Sequence, residues 1–160
     1  MAKVVSEVVE VCVFRRTTSN AEYLLLQRSS NEDLYPNMWQ IVTGTLQQGE
    51  TALQGAMREF VEETNLPLRR LWNVPYVSSF YIAANDTVQL SPFFAAEVNV
   101  DCEVEISHEH QKFEWLPFHE ARERLVWPAQ RRGLEIVQEY IVSHNEVSLV
   151  TEILQPQRKD

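Results

Sequence analysis

Residues 44–66 read GTLQQGETALQGAMREFVEETNL, and three carboxylates in this stretch, Glu59, Glu62 and Glu63, decide how the chain is understood. On a helix over 51–64 they fall at i, i+3 and i+4, on one face, with Cβ atoms about 5–6 Å apart. Like charges that close weaken a helix. A cation relieves the repulsion, and hard carboxylate oxygens suit Mg²⁺ or Mn²⁺. Ions of that kind neutralise phosphate groups and promote attack on them. The ordinary alternative for a run of charge is a solvated acidic face.

The neighbouring residues support the helix. Leu53, Met57, Phe60 and Thr64 recur at i, i+4, i+7 and i+11, which predicts an apolar stripe on the side away from the glutamates. Thr51 followed by Gln54 reads as a capping box. Gly44 and Gly49 fall in the loop before the helix, where the backbone turns sharply or approaches a ligand.

This stretch resembles the Nudix (MutT-like) box, G-x5-E-x7-R-E-U-x-E-E-x-G-U, with U a bulky apolar residue. Gly44, Glu50, Arg58, Glu59, Phe60, Glu62, Glu63 and Leu66 match it. Asn65 replaces the glycine that closes the helix, and Asn is the next best residue for a left-handed C-cap. The resemblance implies an α+β fold, a mixed β-sheet sandwiched between helices. It also implies that the Gly44 carbonyl, Glu59, Glu62 and Glu63 bind Mg²⁺ (or Mn²⁺), with Arg58 and Glu50 as an ion pair orienting the ligands.

Composition sets the frame. The chain has 160 residues, 44% apolar and 23% charged, which suits one domain with a real core. We expect that domain over 1–154 and a frayed tail over 155–160. The net charge of −9 carries no basic footprint, so a nucleic acid polymer is not expected as partner. Cys12 and Cys102 make no disulfide framework and fit a reducing cytoplasm. Glu7 and Glu10 interrupt the amino-terminal apolar run, so it does not read as a signal peptide. No run approaches the ~18 apolar residues of a membrane span.

Periodicity and turn residues predict strands at 4–15, 22–27, 39–43, 72–83, 87–98, 113–116 and 146–154. They predict helices at 51–64, 118–125 and 128–142, the last with Leu134, Val137 and Ile141 inward.

Further candidates come from the resemblance. Arg28 ends an LLLxR-like run, Tyr23–Arg28, whose arginine in many Nudix enzymes meets a substrate phosphate. Glu109 lies a few residues before Trp115-Leu116, where several members place a metal ligand or general base. His108 and His110 at i, i+2 point apart on an extended chain, so zinc is not favoured. Trp39-Gln-Ile-Val-Thr-Gly44 looks like the W-Q-x-V-T-G stretch of bacterial dihydroneopterin triphosphate (dATP-type) pyrophosphohydrolases. Trp39 is a candidate for stacking on a base, or else a core residue. Tyr81 stands near the position of a tyrosine in diadenosine polyphosphate hydrolases.

The expected function is Mg²⁺-dependent cleavage of a nucleoside or nucleoside-like triphosphate to monophosphate and pyrophosphate. A dinucleoside polyphosphate or nucleotide-sugar (ADP-ribose type) hydrolase is the second reading. A non-catalytic Nudix-like binding module is the third, and the retained Glu50, Glu59, Glu62 and Glu63 weigh against it. The expected partner is a small phosphate substrate, with no membrane; oligomeric state is left open, a homodimer among the options.

Overall fold

A computed structural model describes residues 1–153. In chain order it places strands β1 (Lys3–Val5), β2 (Val8–Arg16), β3 (Ala21–Arg28), β4 (Trp39–Gln40) and β5 (Val42–Thr45), then helix α1 (Ala52–Thr64). Strands β6 (Arg70–Ile82), β7 (Thr87–Val98) and β8 (His110–Pro117) follow, then helices α2 (Phe118–Arg124) and α3 (Pro128–Ile136). A π-helical segment, Val137–Val142, helix α4 (Glu146–Thr151) and strand β9 (Glu152–Ile153) complete the described chain.

The sheet is mixed, in the order β4-β3-β2-β7-β6-β9. β2 is its hinge. One edge pairs in parallel with β7; the other pairs antiparallel with β5 over Val8–Val11 and with β3 over Phe14–Arg16. Both faces of β2 are covered, so it reads as a nearly continuous apolar run. Val9, Val11 and Val13 face α1 through Ala56 and Phe60. Cys12 and Phe14 face Trp72, Phe93, Leu134, Val137 and Ile141 on the other side. Each such side chain contributes about 1.5–3 kcal/mol on burial. This is the sandwich of mixed sheet between helices that the box implied.

Several expectations change. The strand expected over 4–15 is divided at Ser6-Glu7, where the Glu7 carbonyl accepts from the Leu46 N–H at 2.8 Å instead of continuing the ladder. The strand expected over 146–154 is mostly α4. Asn145 caps that helix by accepting from the Val147 N–H at 3.0 Å, and the cap outweighs the β-preference of its valines. The helix expected over 128–142 widens to π geometry after Ile136, with Leu134, Val137 and Ile141 buried as read. The apolar stripe of α1 holds at Phe60 and Thr64, which are buried, and at Leu53, which packs against the core, but not at Met57. Met57 is 37% exposed, while Gly55, Ala56 and Glu63 are buried. The tail expected at 155–160, and residue 154, lie outside the described residues. Among the described residues no helix is long and apolar enough to cross a membrane.

One carboxyl is buried in the sheet itself. Glu10, on β2, accepts from the Ser78 hydroxyl at 3.0 Å, and burial pushes its pKa up to about 7. The folded form therefore holds this proton more tightly than the unfolded chain, with its ordinary value of 4.5. Its contribution to stability is present below 4.5 and is lost as pH rises through about 7. Glu10→Gln keeps the acceptor for Ser78 and removes the charge. We expect it to exceed the wild type by on the order of 2–3 kcal/mol at about pH 8, with the gap nearly closed at about pH 5. Urea unfolding at the two pH values checks this; a pH-independent gap contradicts it.

Candidate active site

α1 is placed by its ends. The Thr51 hydroxyl accepts from the Gln54 N–H at 3.2 Å, and the Gln54 side chain accepts from the Thr51 N–H at 3.0 Å. At the other end Asn65 adopts φ 51°, and its N–H donates to the Val61 carbonyl at 2.9 Å. The capping box and the left-handed Asn are both present as read. Gly49 turns the preceding loop with φ 80°, a conformation that suits glycine.

Arg58 organises the acidic face. Its Nε donates to Glu50 Oε1 at 2.8 Å and Nη2 to Glu50 Oε2 at 2.9 Å, a bidentate pair. Nη1 donates to Glu59 Oε1 at 2.6 Å and Glu62 Oε2 at 3.1 Å, and Nη2 also reaches the Thr45 carbonyl at 3.0 Å. The guanidinium holds the Glu50 carboxyl down at about 2, helped by the Gln47 backbone.

Beside this network lies a pocket of about 260 Å³ lined by Glu59, Glu62, Glu63, Ser107, His108 and Glu109. The helix face and the loop before β8 thus meet, a juxtaposition of residues far apart in sequence. Glu63 is only 2% exposed, and neither of its carboxylate oxygens has a hydrogen-bond partner. Burial pushes its pKa well up; the Glu59 and Glu109 charges add to this, and the Arg28 charge opposes it. Burial also raises Glu59, against the pull of Arg58. Glu62 remains at the solvent edge, 55% exposed.

An orphaned buried carboxylate beside two others is a donor set of hard oxygens, the chemistry that Mg²⁺ or Mn²⁺ requires. The residues fit such an ion in kind. As the side chains stand, no group of three His, Cys, Asp or Glu among the described residues is arranged to hold one. Arg58 meanwhile occupies Glu59 and Glu62.

Gly44 explains its own identity. A Cβ there would overlap the Glu59 carboxyl group where Arg58 holds it, so glycine lets β5 approach the carboxylate. Arg28 sits at a bulge in β3 and donates to the Leu34 carbonyl at 2.7 Å and to Glu32 at 3.3 Å; its charge acts on Glu63. Trp39 is half-buried against the core, with the Arg124 guanidinium 5.0 Å from its ring centre. His110 is buried with its Nε2 3.2 Å from Gln40, while His108 is exposed at the pocket. Tyr81 is not brought to the pocket. It is 58% exposed in the β6–β7 hairpin and donates to Asp86 at 2.9 Å. Sequence reading passed over Ser107 as part of the pocket and Glu10 as more than a break in an apolar run.

The Gly44–Glu59 contact generates a prediction. Gly44→Ala forces the carboxylate or β5 aside, at about 1–3 kcal/mol for overpacking. The melting temperature should fall by roughly 2–10 °C. Glu59→Ala in the same chain should recover most of that loss, read as a double-mutant cycle. Strictly additive effects would show that the two residues do not touch.

With this geometry in hand, comparison with known proteins is informative. A Nudix domain model matches residues 7–137. An octanoyltransferase from Myxococcus xanthus is 33% identical over 129 residues, covering 79% of this chain but 35% of that protein. The chain thus spans about a third of that relative's length. A dihydroneopterin triphosphate diphosphatase from Escherichia coli K12 is 39% identical over 64 residues, 40% of each chain. The crystal structure of a Caenorhabditis elegans Ap4A hydrolase binary complex superposes with a TM-score of 0.72 at 24% identity, covering 87% of this chain and 99% of that one. The family model takes in most of the strands and the whole carboxylate cluster, and on that ground the chain belongs to the Nudix hydrolase family.

Proposed function

We propose that this protein is a Mg²⁺-dependent pyrophosphohydrolase that cleaves a nucleoside or nucleoside-like triphosphate to a monophosphate and pyrophosphate. One observation carries the reading: both oxygens of buried Glu63 lack a partner, and Glu63 lines a pocket of about 260 Å³ together with Glu59 and Glu109. The relative that acts on dihydroneopterin triphosphate supports the choice of a triphosphate.

In this reading the Gly44 carbonyl, Glu59, Glu62 and Glu63 hold Mg²⁺ (or Mn²⁺). When bound, such ions neutralise phosphate charge and lower the pKa of water. Glu50 anchors Arg58, and Arg58 orients Glu59. Glu59, partly buried and oriented by Arg58, is placed to take a proton from the attacking water. Glu109 faces it across the pocket as a second proton acceptor. Arg28 meets a phosphate oxygen, for which a bidentate donor is suited. Residues 1–154 act as one domain, since β2 contributes to both cores. A cytoplasmic setting fits the free thiols of Cys12 and Cys102.

The dinucleoside polyphosphate reading drew its residue from Tyr81. That side chain is engaged with Asp86 in the hairpin, so the triphosphate reading is preferred.

Two experiments test the proposal. Glu59→Gln should fold and lose at least ~10²-fold in kcat, the scale of a general base or an electrostatic stabiliser; near-normal turnover with saturating Mg²⁺ sinks the assigned site. Turnover of a triphosphate in H₂¹⁸O should place label in a phosphate-containing product and release pyrophosphate, with activity abolished by EDTA and restored by Mg²⁺. Orthophosphate as sole early product, or full activity in EDTA, would falsify the mechanism.

A further inference from the structure

The residue that departs from the box does more than close α1. At φ 51° Asn65 takes the left-handed cap that glycine adopts most readily. Unlike glycine it also carries a side-chain donor, and its Nδ2 donates to Glu105 Oε2 at 2.9 Å. Glu105 lies 40 residues further on, in the segment 99–109 that joins β7 to β8 and holds neither helix nor strand. The same segment supplies Ser107, His108 and Glu109 to the pocket beside the carboxylates.

Two anchors fix this strap. At its far end the Ser29 N–H donates to the Glu109 carbonyl at 2.8 Å, and the His110 N–H closes a turn on the Ser107 carbonyl at 3.2 Å. At its near end the Glu105 N–H donates to the carbonyl of Thr64, the last residue of α1, at 3.0 Å. Val104 and Ile106, on either side of Glu105, pack against the core beneath α1.

Electrostatics works against the near anchor. The strap carries Asp101, Glu103, Glu105 and Glu109, while α1 carries Glu59, Glu62 and Glu63. The carbonyl end of a helix is itself negative, and the last turn of α1 has no basic residue. A carboxylate brought to such a place needs a donor, and the Asn65 amide provides one. A glycine cap leaves the Glu105 carboxylate without it.

We propose that Asn65 is a positioning residue: through Glu105 it holds the strap against the end of α1 and so fixes Glu109 in the pocket with Glu59 and Glu63. The kinetic consequence rests on the hydrolase reading, in which Glu109 is a proton acceptor. Without the side-chain bond the backbone anchor at Thr64 remains, so the strap stays near its place but opens more often. Glu109 then stands ready for a smaller fraction of the time. The loss falls on kcat rather than KM, because Glu109 meets the attacking water and not the bulk of the substrate.

Asn65→Gly tests this, since it keeps the left-handed cap and deletes only the donor. Its melting temperature should stay within ~2 °C of the wild type. In the metal-free protein the amides of 104–110 should exchange hydrogen about 2–10-fold faster, the scale of one hydrogen bond, with those of α1 unchanged. Asn65→Asp sets two carboxylates against each other and should do the same. Adding Glu105→Gln to Asn65→Asp exchanges donor and acceptor at constant net charge and should restore wild-type exchange. In turnover Asn65→Gly should lower kcat about 2–10-fold and move KM by less than about twofold. In a Glu109→Gln background it should lower kcat no further, because the group it positions is gone. Unchanged exchange in Asn65→Gly, no recovery in the exchanged pair, or an equal loss of kcat with and without Glu109 overturns the proposal. Should the wild type hydrolyse no triphosphate, the hydrolase reading falls and the exchange rates alone decide the role of Asn65; hydrolysis with unchanged exchange does the reverse.

Discussion

A single guanidinium makes the acidic face of α1 compatible with folding. Arg58 reaches Glu50, Glu59 and Glu62 at 2.6 to 3.1 Å and ties them to the Thr45 carbonyl of β5. Its planar fork of five N–H donors is what permits so many contacts, and lysine has no such geometry. Glu63 is left outside this arrangement. It is buried on the same helix, close enough to Glu59 and Glu109 for each to disfavour its ionised form. Removing a charge from water without a partner is among the costliest things a fold does. A fold that keeps such a group has stored electrostatic energy where a cation can release it, which is why the strained spot and the candidate site coincide.

β2 is the second organiser, and it works through register. Its alternation sends valines to the α1 side and Cys12 and Phe14 to the α3 side. Its pairing with β5 sets Val9 opposite Gly44 and Glu10 opposite Thr43. A one-residue slip would turn Glu10 to the α1 side and put Val9 against Ser78. The close fit of Gly44 against Glu59 depends on that register as well.

How much of this was legible beforehand varied with the kind of signal. The capping box at Thr51 and Gln54 and the left-handed cap at Asn65 were readable because caps are local: each involves partners within four residues. The long strands β6 and β7 were readable from alternation and the turn residues between them. The helical identity of 146–151 was not, because its valines favour a strand and only the Asn145 side chain tipped the balance. The stripe on α1 was read correctly at Leu53, Phe60 and Thr64 and failed at Met57. Spacing shows that apolar residues recur, but the partner that covers them sets which flank is buried, and here Glu63 went under while Met57 stayed out.

By itself the sequence determined the family, the acidic helix and its cluster of carboxylates, since these reside in side-chain types at fixed separations along one helix. Glu10 also left a mark, a charge inside the run Val8–Phe14. Tertiary structure alone decided that Ser78 meets that charge, that Glu109 and Ser107 complete the pocket, that Tyr81 stands away from it, and that Gln130 reaches Thr43 across 87 residues. The physical reason is common to all four: hydrogen bonds and desolvation act over a few ångströms in space, and no pattern along the chain encodes which distant residues the packing of sheet and helices will bring within that reach.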